Sequence, residues 1–326
     1  MPPIHPLKLG NKTFETNLIQ APLAGYSCAP FRRLAQEWGP PAFCYTEMLS
    51  AKNLATQPKI EQRFIYKDPK EGLLGVQFAA TDPNDLARAV ERAIGFGADL
   101  IDLNCGCPVG KIRKKGAGSK LLEDPVLLGQ LVKAMKSVSQ DIPVSIKIRV
   151  DGISPLRYSQ TAALIAQDAG IDFITIHGRH WRENYEAPCR QDQIAELIQV
   201  LNIPVIANGD ASDTESTLNL LKNTGADGVM IGRGGVGQPW LFAQILAESQ
   251  GKVFTKPSPD QIKQMFLQHL SGLIHLEGEK IAVLQARNLI KYYVRSLRNL
   301  MDYIEHAQTA NTLQDMVTLS ESLFTN

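Results

Sequence analysis

Eight short apolar segments alternate with amphipathic stretches between residues 17 and 250, and this alternation limits the possible folds more than any other feature of the chain. The segments are nearly continuous in apolar residues, which is typical of parallel strands buried on both faces. Between them apolar residues recur at helical spacing, as at Leu86, Val90 and Ala93. The pattern predicts eight β-α units, with strands in 17–25, 42–49, 74–79, 100–106, 144–150, 173–179, 204–210 and 228–234.

Eight β-α units in about 235 residues predict a (β/α)8 barrel, also called a TIM barrel. The alternative is an open, doubly wound sheet, which needs a glycine-rich phosphate-binding turn after its first strand. No G-x-G-x-x-G sequence follows residues 17–25, so the barrel is favoured. The whole chain has 326 residues, which leaves room for a smaller second unit.

The C-terminal part of the chain has a different composition. Segment 254–261 contains two prolines and predicts a linker that ends at the start of a helix. From residue 260 to 326 there are two glycines and no proline, and the periodicity is helical. We therefore expect a barrel domain over residues 1–250 and a small all-helical domain over residues 251–326.

Composition excludes several classes of protein. Lys and Arg number 34 and Asp and Glu 33, so an overall polycation is excluded, although a local basic surface is not. Five scattered cysteines favour a reducing compartment over a disulfide framework, and no Cys/His pattern has zinc spacing, so we expect no metal. No apolar run or N-terminal leader indicates a membrane segment or secretion. We expect a cytoplasmic protein, with no sign of an obligate oligomer.

Polar residues interrupt or follow the predicted strands near their C-terminal ends, where barrel enzymes carry their active sites. Each could have a structural explanation, but unpaired polar groups are costly inside a packed barrel. Strand alternation puts Ser145, Lys147 and Arg149 on one face, and we favour an inward Lys147 over an outward one between helices. The set is Pro22, Gln77, Asn104, Cys107, Lys147, Arg149, His177, Asn208, Asp210 and Arg233.

The seventh and eighth predicted strands end in glycine-containing turns, ANGD (207–210) and IGRGG (231–235). Gly209 and Gly232 allow a ligand to approach the backbone closely, and Arg233 supplies a cationic fork. Barrels often bind phosphate after these two strands. We favour a phosphate site over ordinary turns with a surface arginine.

Cys107 follows the fourth predicted strand in the sequence NCGCP. It could be a small buried residue, a nucleophile, or a general acid with a thiol pKa of about 8.5. A nucleophile needs a neighbouring base, and none is evident, whereas an acid needs only its position. His177 ends the sixth strand, and a ligand contact and a core histidine are equally compatible with that position.

Two segments are basic although the whole chain is nearly neutral. Residues 111–120 contain Lys111, Arg113 and Lys114 and no acid. Near the C-terminus, helical spacing puts four cations on one face, and no acid occurs between Lys280 and Asp302. Such patches can be solvated faces, but single-sign patches favour a polyanion held by phosphate contacts. The four residues are Arg287, Lys291, Arg295 and Arg298.

These motifs, in this order, resemble those of the tRNA-dihydrouridine synthases, the bacterial branch most closely. The resemblance covers residues 17–240 and extends to the helical tail. The motifs are APLAG (21–25), DLNCGCP (102–108), GAGSKLL (116–122), KIR (147–149), HGR (177–179), IANGD (206–210) and MIGRG (230–234).

The resemblance implies an FMN-dependent enzyme that uses NADPH to reduce one uridine of tRNA to 5,6-dihydrouridine. The flavin would deliver hydride to C6 of the uracil, and Cys107 would protonate C5. Asn104 and Arg149 would orient the uracil, and the basic residues of both patches would hold the tRNA backbone. The implied flavin contacts are Pro22, Leu23, Ala24, Gln77, Lys147, His177, Asn208, Gly209, Asp210, Gly232 and Arg233.

The chain departs from the family pattern in two segments. The opening reads GYSCAPFR where the family usually has a Thr-Asp pair before PFR, and residues 180–193 keep Tyr185 but lose a glycine and an Asp-Trp pair. The second departure bears on substrate choice. Two other functions stay open: an FMN barrel reductase of small molecules, and a tRNA-binding module without activity. The sequence does not identify the target uridine or decide between NADPH and NADH.

Overall fold

The structure is a computed structural model that describes residues 3–57, 63–295, 297 and 306–324. It begins with an antiparallel hairpin, β1 (Leu7–Leu9) and β2 (Lys12–Phe14), which the sequence did not predict. Buried Leu7, Leu9 and Phe14 pack in one cluster with Leu100 and Phe173, the first residues of two barrel strands. The hairpin therefore covers the N-terminal end of the barrel.

The barrel strands are all parallel, and the ring of strands closes. β3 pairs with both β4 and β11, and β4 also pairs with β6, which completes the ring and confirms the TIM barrel. The predicted second strand is split into β4 and β5, which both pair with β6. The strands are β3 (Leu18–Gln20), β4 (Cys44–Tyr45), β5 (Leu49–Ser50), β6 (Leu74–Ala79), β7 (Leu100–Cys105), β8 (Val144–Arg149), β9 (Phe173–His177), β10 (Val205–Asn208) and β11 (Gly228–Ile231).

The two faces of the strands differ in polarity, and this difference positions the site. Along β7, Ile101, Leu103 and Cys105 pack in the large apolar cluster that the barrel shares with the surrounding helices. Asp102 and Asn104 alternate with them and therefore lie on the opposite, inner face. The barrel interior is consequently polar towards its C-terminal end.

Helices surround the barrel between successive strands. Two of them begin at Asp-Pro pairs, in which the carboxylate accepts from a backbone amide of the first turn: Asp82 from Asp85 at 2.8 Å and Asp124 from Leu127 at 3.0 Å. The helices are α1 (Ala29–Trp38), α2 (Ala51–Thr56), α3 (Pro83–Gly95), α4 (Gly110–Arg113), α5 (Pro125–Val138), α6 (Tyr158–Asp168), α7 (Gln191–Ile198), α8 (Thr214–Thr224) and α9 (Leu241–Ser249).

The C-terminal region is helical, with α10 (Pro259–Glu277), α11 (Glu279–Val294) and α12 (Leu313–Leu323). Ser258 starts α10 with a capping box, in which its side chain and that of Gln261 each accept the other residue's amide. These helices share a buried cluster with Phe31 of α1 and with Trp240. The division into two domains near residue 250 stays a prediction, because the helices pack directly on the barrel.

Within the part of the chain that the structure describes, no helix is both long enough and apolar enough to cross a membrane.

Candidate functional site

A hydrogen-bonded network lies inside the barrel below the Cys107 loop. Asp102 accepts from Ser145 at 2.6 Å and from the Gln77 amide at 2.8 Å, and Asn104 donates to Gln77 at 2.8 Å. Burial raises the pKa of Asp102 to about 6. We call these four residues the Asp102 network. Sequence analysis missed Asp102 and Ser145, although an acid inside the apolar run LIDLN was a signal.

The network extends to the backbone of Cys107. The Asn104 side-chain oxygen accepts from the amides of Gly106 at 3.1 Å and Cys107 at 2.8 Å. The Cys107 carbonyl accepts from both the amide and the hydroxyl of Ser119, each at 3.0 Å. Cys107 is thus held on both sides of its backbone, and its half-buried thiol lies at the C-terminal end of the barrel.

The close approach of the segment after α4 explains one glycine. A Cβ on Gly118, which has φ +63°, would lie 2.7 Å from the Cys107 carbonyl oxygen. A larger residue would therefore displace Ser119 from that carbonyl. Gly118 is therefore a packing requirement of the Cys107 loop.

Lys147 points into the barrel, as the strand alternation predicted. Its Nζ donates to the Asn208 side-chain oxygen at 2.8 Å, and this bond spans β9, which lies between β8 and β10. Asn208 in turn donates to the Met230 carbonyl at 2.8 Å. Burial, together with nearby Arg149, lowers the pKa of Lys147 to about 7.

His177 lies among cations at the same end of the barrel. Burial first, and then Lys147, Arg149, Arg179 and Arg233, lower its pKa well below the usual value, so the imidazole is neutral at pH 7. We call those four cationic residues the cationic half of the site. Such an excess of positive charge fits an anionic or electron-rich ligand.

Arg179 is a buried residue that sequence analysis did not select. It donates to the carbonyls of Tyr185, at 3.2 Å, and Ala187, and it pairs with the Asp210 carboxylate. The other Asp210 oxygen accepts from the Cys189 amide at 2.9 Å. The Asp210 carboxylate therefore holds the 180–190 loop. The backbone of Asp210, rather than its side chain, is the part that can face an anion.

The two glycine turns adjoin at the predicted phosphate site. A Cβ on Gly209, which has φ +134°, would lie 2.6 Å from Cys189 Sγ, so this position requires glycine. The space around Gly232 is open: a Cβ there would meet Leu23 Cδ2 at 3.9 Å and would project into a cradle. The guanidinium carbon of Arg233 lies 3.7 Å from the Tyr185 ring centroid, at the edge of the site. The space and charge fit a phosphate.

Pro22, Leu23 and Ala24 form the loop after β3, on the other side of this cradle. The Leu23 amide donates to the Ser27 hydroxyl at 2.9 Å, and that hydroxyl donates to the Leu23 carbonyl at 3.2 Å. Pro22 and Leu23 are half-buried and Ala24 is exposed. The loop provides a small, apolar edge that fits a planar ring system.

Arg149 brings a second cation close to the Cys107 loop. Its guanidinium donates to the His180 carbonyl at 3.2 Å, and its Cγ would lie 3.4 Å from a Cβ on Gly106. The side chain is 5% exposed. Arg149 and Asn104 therefore both lie beside the Cys107 loop.

The basic residues near Cys107 have different environments. Lys111 and Lys114 are exposed on and next to α4. Arg113 instead donates to the Ser119 hydroxyl at 2.9 Å, pairs with Glu123 at 2.8 Å, and lies 3.5 Å from the Trp181 ring centroid. The two lysines form the open part of the patch.

The predicted basic face of α11 is partly directed at the protein itself. Arg287 donates to the Ala310 carbonyl at 2.7 Å and to Asn311 at 2.8 Å, and Arg295 donates to the Gly234 carbonyl at 2.7 Å. Lys291 lies 5.2 Å from the Tyr292 ring centroid. Arg298 lies outside the described residues.

Over residues 3–57, 63–295, 297 and 306–324, no three His, Cys, Asp or Glu side chains are grouped so that they could hold a metal ion. The cysteines are free thiols, and Cys107 and Cys189 are the two that are half-buried.

Comparison with known proteins identifies relatives along nearly the whole chain. The profile of a family described as dihydrouridine synthase (Dus) matches residues 19–325. The chain is 35% identical over 320 residues to a probable tRNA-dihydrouridine synthase 1 from Synechocystis, covering 95% of this chain and 87% of that protein. It is 34% identical over 291 residues to tRNA-dihydrouridine synthase B from Vibrio parahaemolyticus, covering 89% of each.

Solved structures with a similar fold have much lower sequence identity. An old yellow enzyme homologue from Zymomonas mobilis matches with a TM-score of 0.55 and 13% identity, covering 79% of this chain and 95% of that one. Morphinone reductase in complex with tetrahydroNAD matches with a TM-score of 0.53 and 14% identity, covering 79% and 93%. These similarities support the barrel fold.

Proposed function

The chain belongs to the dihydrouridine synthase family, and on that premise we propose that it reduces one uridine of tRNA to 5,6-dihydrouridine, with FMN as cofactor and NADPH as electron donor. One observation carries the proposal. A cysteine whose backbone is fixed from both sides lies at the same barrel mouth as a cationic, glycine-lined cradle. The arrangement combines a proton donor with a place for an anionic cofactor.

We propose that the cofactor lies across the mouth between the β3 loop and the two glycine turns. When bound, the reduced flavin supplies the hydride. Pro22, Leu23 and Ala24 would line one edge of its ring. The remaining contacts, in the order of the chain, would be Gln77, Lys147, His177, Asn208, Gly209, Asp210, Gly232 and Arg233.

Cys107 would be the general acid. Hydride addition at C6 of the uracil leaves negative charge on C5 and the adjacent carbonyl, and protonation at C5 completes the reduction. The thiol proton would go to C5, and the thiolate would be reprotonated from solvent. The hydrogen bonds from the Cys107 backbone to Asn104 and Ser119 restrict the position of the sulfur at the barrel mouth.

Asn104 and Arg149 would orient the uracil. The Asn104 oxygen already accepts two amide bonds, and one of its two N–H groups donates to Gln77, so its second N–H is the group that can reach a uracil carbonyl. Arg149 would donate to a carbonyl and, with Lys147, stabilise the developing negative charge. Both residues act from buried positions, where charge interactions are stronger than in water.

The tRNA would be held outside the mouth. A uridine must leave its stack to reach a barrel interior, and its neighbours must be held meanwhile. We propose that Lys111, Lys114 and Lys291 contact phosphates, and that Arg113, Arg287 and Arg295 contribute charge from bonded positions. Arg298 keeps its predicted phosphate contact. Because one chain supplies every proposed group, we propose a monomeric enzyme.

The decisive experiment incubates the protein with NADPH and tRNA that lacks dihydrouridine, and then maps the modified nucleotide by mass spectrometry. We expect a gain of two hydrogens at one uridine. Substituting NADH for NADPH in a parallel reaction tests the donor. A protein that binds FMN but leaves every uridine unchanged would contradict the tRNA proposal and favour a small-molecule reductase. A protein with RNA affinity and no flavin would indicate a binding module.

A further inference from the structure

The C-terminal end of α11 contacts two of the loops that we place around the flavin. These contacts involve Tyr292 and Arg295, which lie at the last turn of the helix and at its C-cap. One of the two loops follows β11 and contains Arg233 and Gly234. The other follows β3 and contains Leu23.

Arg295 binds the phosphate-side loop through its backbone. The guanidinium donates to the Gly234 carbonyl at 2.7 Å and to the Arg233 carbonyl at 3.4 Å. The side chain is half-buried, and partial burial lowers its pKa. A guanidinium that bonds two consecutive carbonyls fixes the orientation of the peptide groups in that turn.

The helix backbone also lies directly on this loop. Gly237 has φ +69°, and a Cβ there would be 2.4 Å from the Tyr292 carbonyl carbon. Any other residue at position 237 would push the end of α11 away from the loop. The contact therefore depends on close packing as well as on Arg295.

Tyr292 reaches the second loop through its side chain. Its ring packs edge-on against Tyr26, with centroids 5.5 Å apart, and the two hydroxyls are 3.4 Å apart. The Tyr26 amide donates to the Leu23 carbonyl at 3.0 Å. Burial and the hydrogen bond to Tyr292 raise the pKa of Tyr26 to about 12, so the phenol stays neutral. One turn of α11 thus connects both edges of the proposed cofactor site.

We infer that Arg295 and Tyr292 are positioning residues for the flavin, which couple the docking of the C-terminal helices to cofactor binding. The inference rests on the proposed placement of FMN. It gives Arg295 a different role from the tRNA contact expected from helical spacing, because its guanidinium is turned to carbonyls of the barrel. By linkage, flavin binding must stabilise the docked end of α11 as much as docking favours the flavin.

The test measures FMN affinity directly, by titrating flavin-free protein and following the quenching of flavin fluorescence. Arg295→Gln should weaken FMN binding about 10-fold, because charge-assisted hydrogen bonds to the loop are lost. Arg295→Lys should be intermediate. The matched control is Lys280→Gln, which removes the same charge at the exposed first turn of α11 and should leave FMN affinity within about twofold.

A second readout separates positioning from a simple loss of stability. In the wild type, FMN should slow amide hydrogen exchange in residues 232–237 and also in residues 286–294. In Arg295→Gln the first effect should shrink and the second disappear. Should Arg295→Gln fail to fold, Tyr292→Phe removes only the hydroxyl, and about a threefold weakening of FMN binding is expected.

Three outcomes decide the matter. If the wild type and Arg295→Gln bind FMN equally, and amide hydrogen exchange in α11 is the same with and without FMN, the coupling is overturned while the proposed function stands. If the wild type binds no FMN, both fall. A variant with unchanged FMN affinity but weaker tRNA binding, measured at saturating flavin, would return Arg295 to the role of a phosphate contact.

Discussion

The Asp102 network and the cationic half of the site satisfy their polar groups in opposite ways. Asp102, Gln77, Asn104 and Ser145 bond one another and the Cys107 backbone. In the cationic half, Asp210 pairs with Arg179, while Lys147 bonds only a neutral amide among its described partners. The carboxylate of the first is neutralised by hydrogen bonds within the network, whereas the second has positive charge that an incoming anion can neutralise. We propose that the network chiefly positions Cys107 and that the cationic half chiefly receives the cofactor.

The largest effect should come from the residue that the network positions. Cys107→Ala should lower dihydrouridine formation about 100- to 10,000-fold, because the proposed proton donor is lost, while we expect NADPH still to reduce the flavin. Product formation and flavin absorbance in single-turnover reactions measure the two steps separately. Cys105→Ala, on the outer face of β7, is the control and should keep turnover. Full turnover by Cys107→Ala would show that another group donates the proton.

The network itself should appear in the pH dependence of stability. The pKa of Asp102 is raised to about 6, so the folded protein binds more protons than the unfolded chain, and this contribution to stability is lost as pH rises from about 4 through 6. Its size is at most about 3 kcal/mol. In Asp102→Asn this slope should vanish, as measured by urea unfolding between pH 4 and pH 7.

Asp102→Asn should also lower overall stability by about 1–3 kcal/mol, because Ser145 and Gln77 donate to different oxygens of the carboxylate, and Asn replaces one of these acceptors by an NH2 donor. The control is Asp124→Asn, which keeps a capping residue at the start of α5 and should keep the wild-type slope. An identical pH slope in Asp102→Asn and the wild type would place the titration elsewhere.

Substitutions in the cationic half should change ligand binding rather than protein stability. Lys147→Gln should weaken FMN binding about 10-fold, because it removes a cation that we propose lies beside the flavin. The pKa of Lys147 is lowered to about 7, and its protonated form binds an electron-rich ligand better, so wild-type affinity should fall as pH rises above 7. The variant should lack this decline between pH 6 and pH 9. Lys136→Gln, which loses a pair with Asp172 away from the site, should retain it.

The smallest effect should come from the exposed edge of the patch near Cys107. Replacing Lys111 and Lys114 together by Gln should weaken tRNA binding a few-fold. The slope of the logarithm of the binding constant against the logarithm of the salt concentration should become shallower by about 0.7–0.9 for each phosphate that is no longer neutralised. Turnover at saturating tRNA should be unchanged. The double variant of Lys8 and Lys70, which are exposed elsewhere, is the charge-matched control. Equal salt slopes in the two double variants would exclude Lys111 and Lys114 as tRNA contacts.

Much of the fold was predictable because its determinants are local. Apolar runs buried on both faces indicate parallel strands, and all eight runs contain barrel strands. Strand alternation put Ser145, Lys147 and Arg149 on one face, and the scarcity of solvent around a parallel barrel strand favoured an inward direction for Lys147. The hairpin at residues 7–14 was missed because its three-residue strands are too short for a periodic signal.

The sequence could not show which tertiary contacts the residues on each helix or strand face make. Helical spacing put Arg287 and Arg295 on one face of α11, but only the structure shows that backbone carbonyls lie opposite them. The bond between Asp102 and Gln77 joins neighbouring strands 25 residues apart in the chain, and no local pattern encodes it. Arg179 was missed for the same reason, because its partners come from two different loops.

The hairpin β1–β2 has a consequence for the order of events. It closes the barrel from below, so under the proposed function we expect the electron donor and the substrate base to enter through the same opening. They would then bind in turn, with the oxidised nicotinamide leaving before the uridine arrives. We expect the parallel double-reciprocal lines of a double-displacement reaction, with free nicotinamide and tRNA competing for one form of the enzyme.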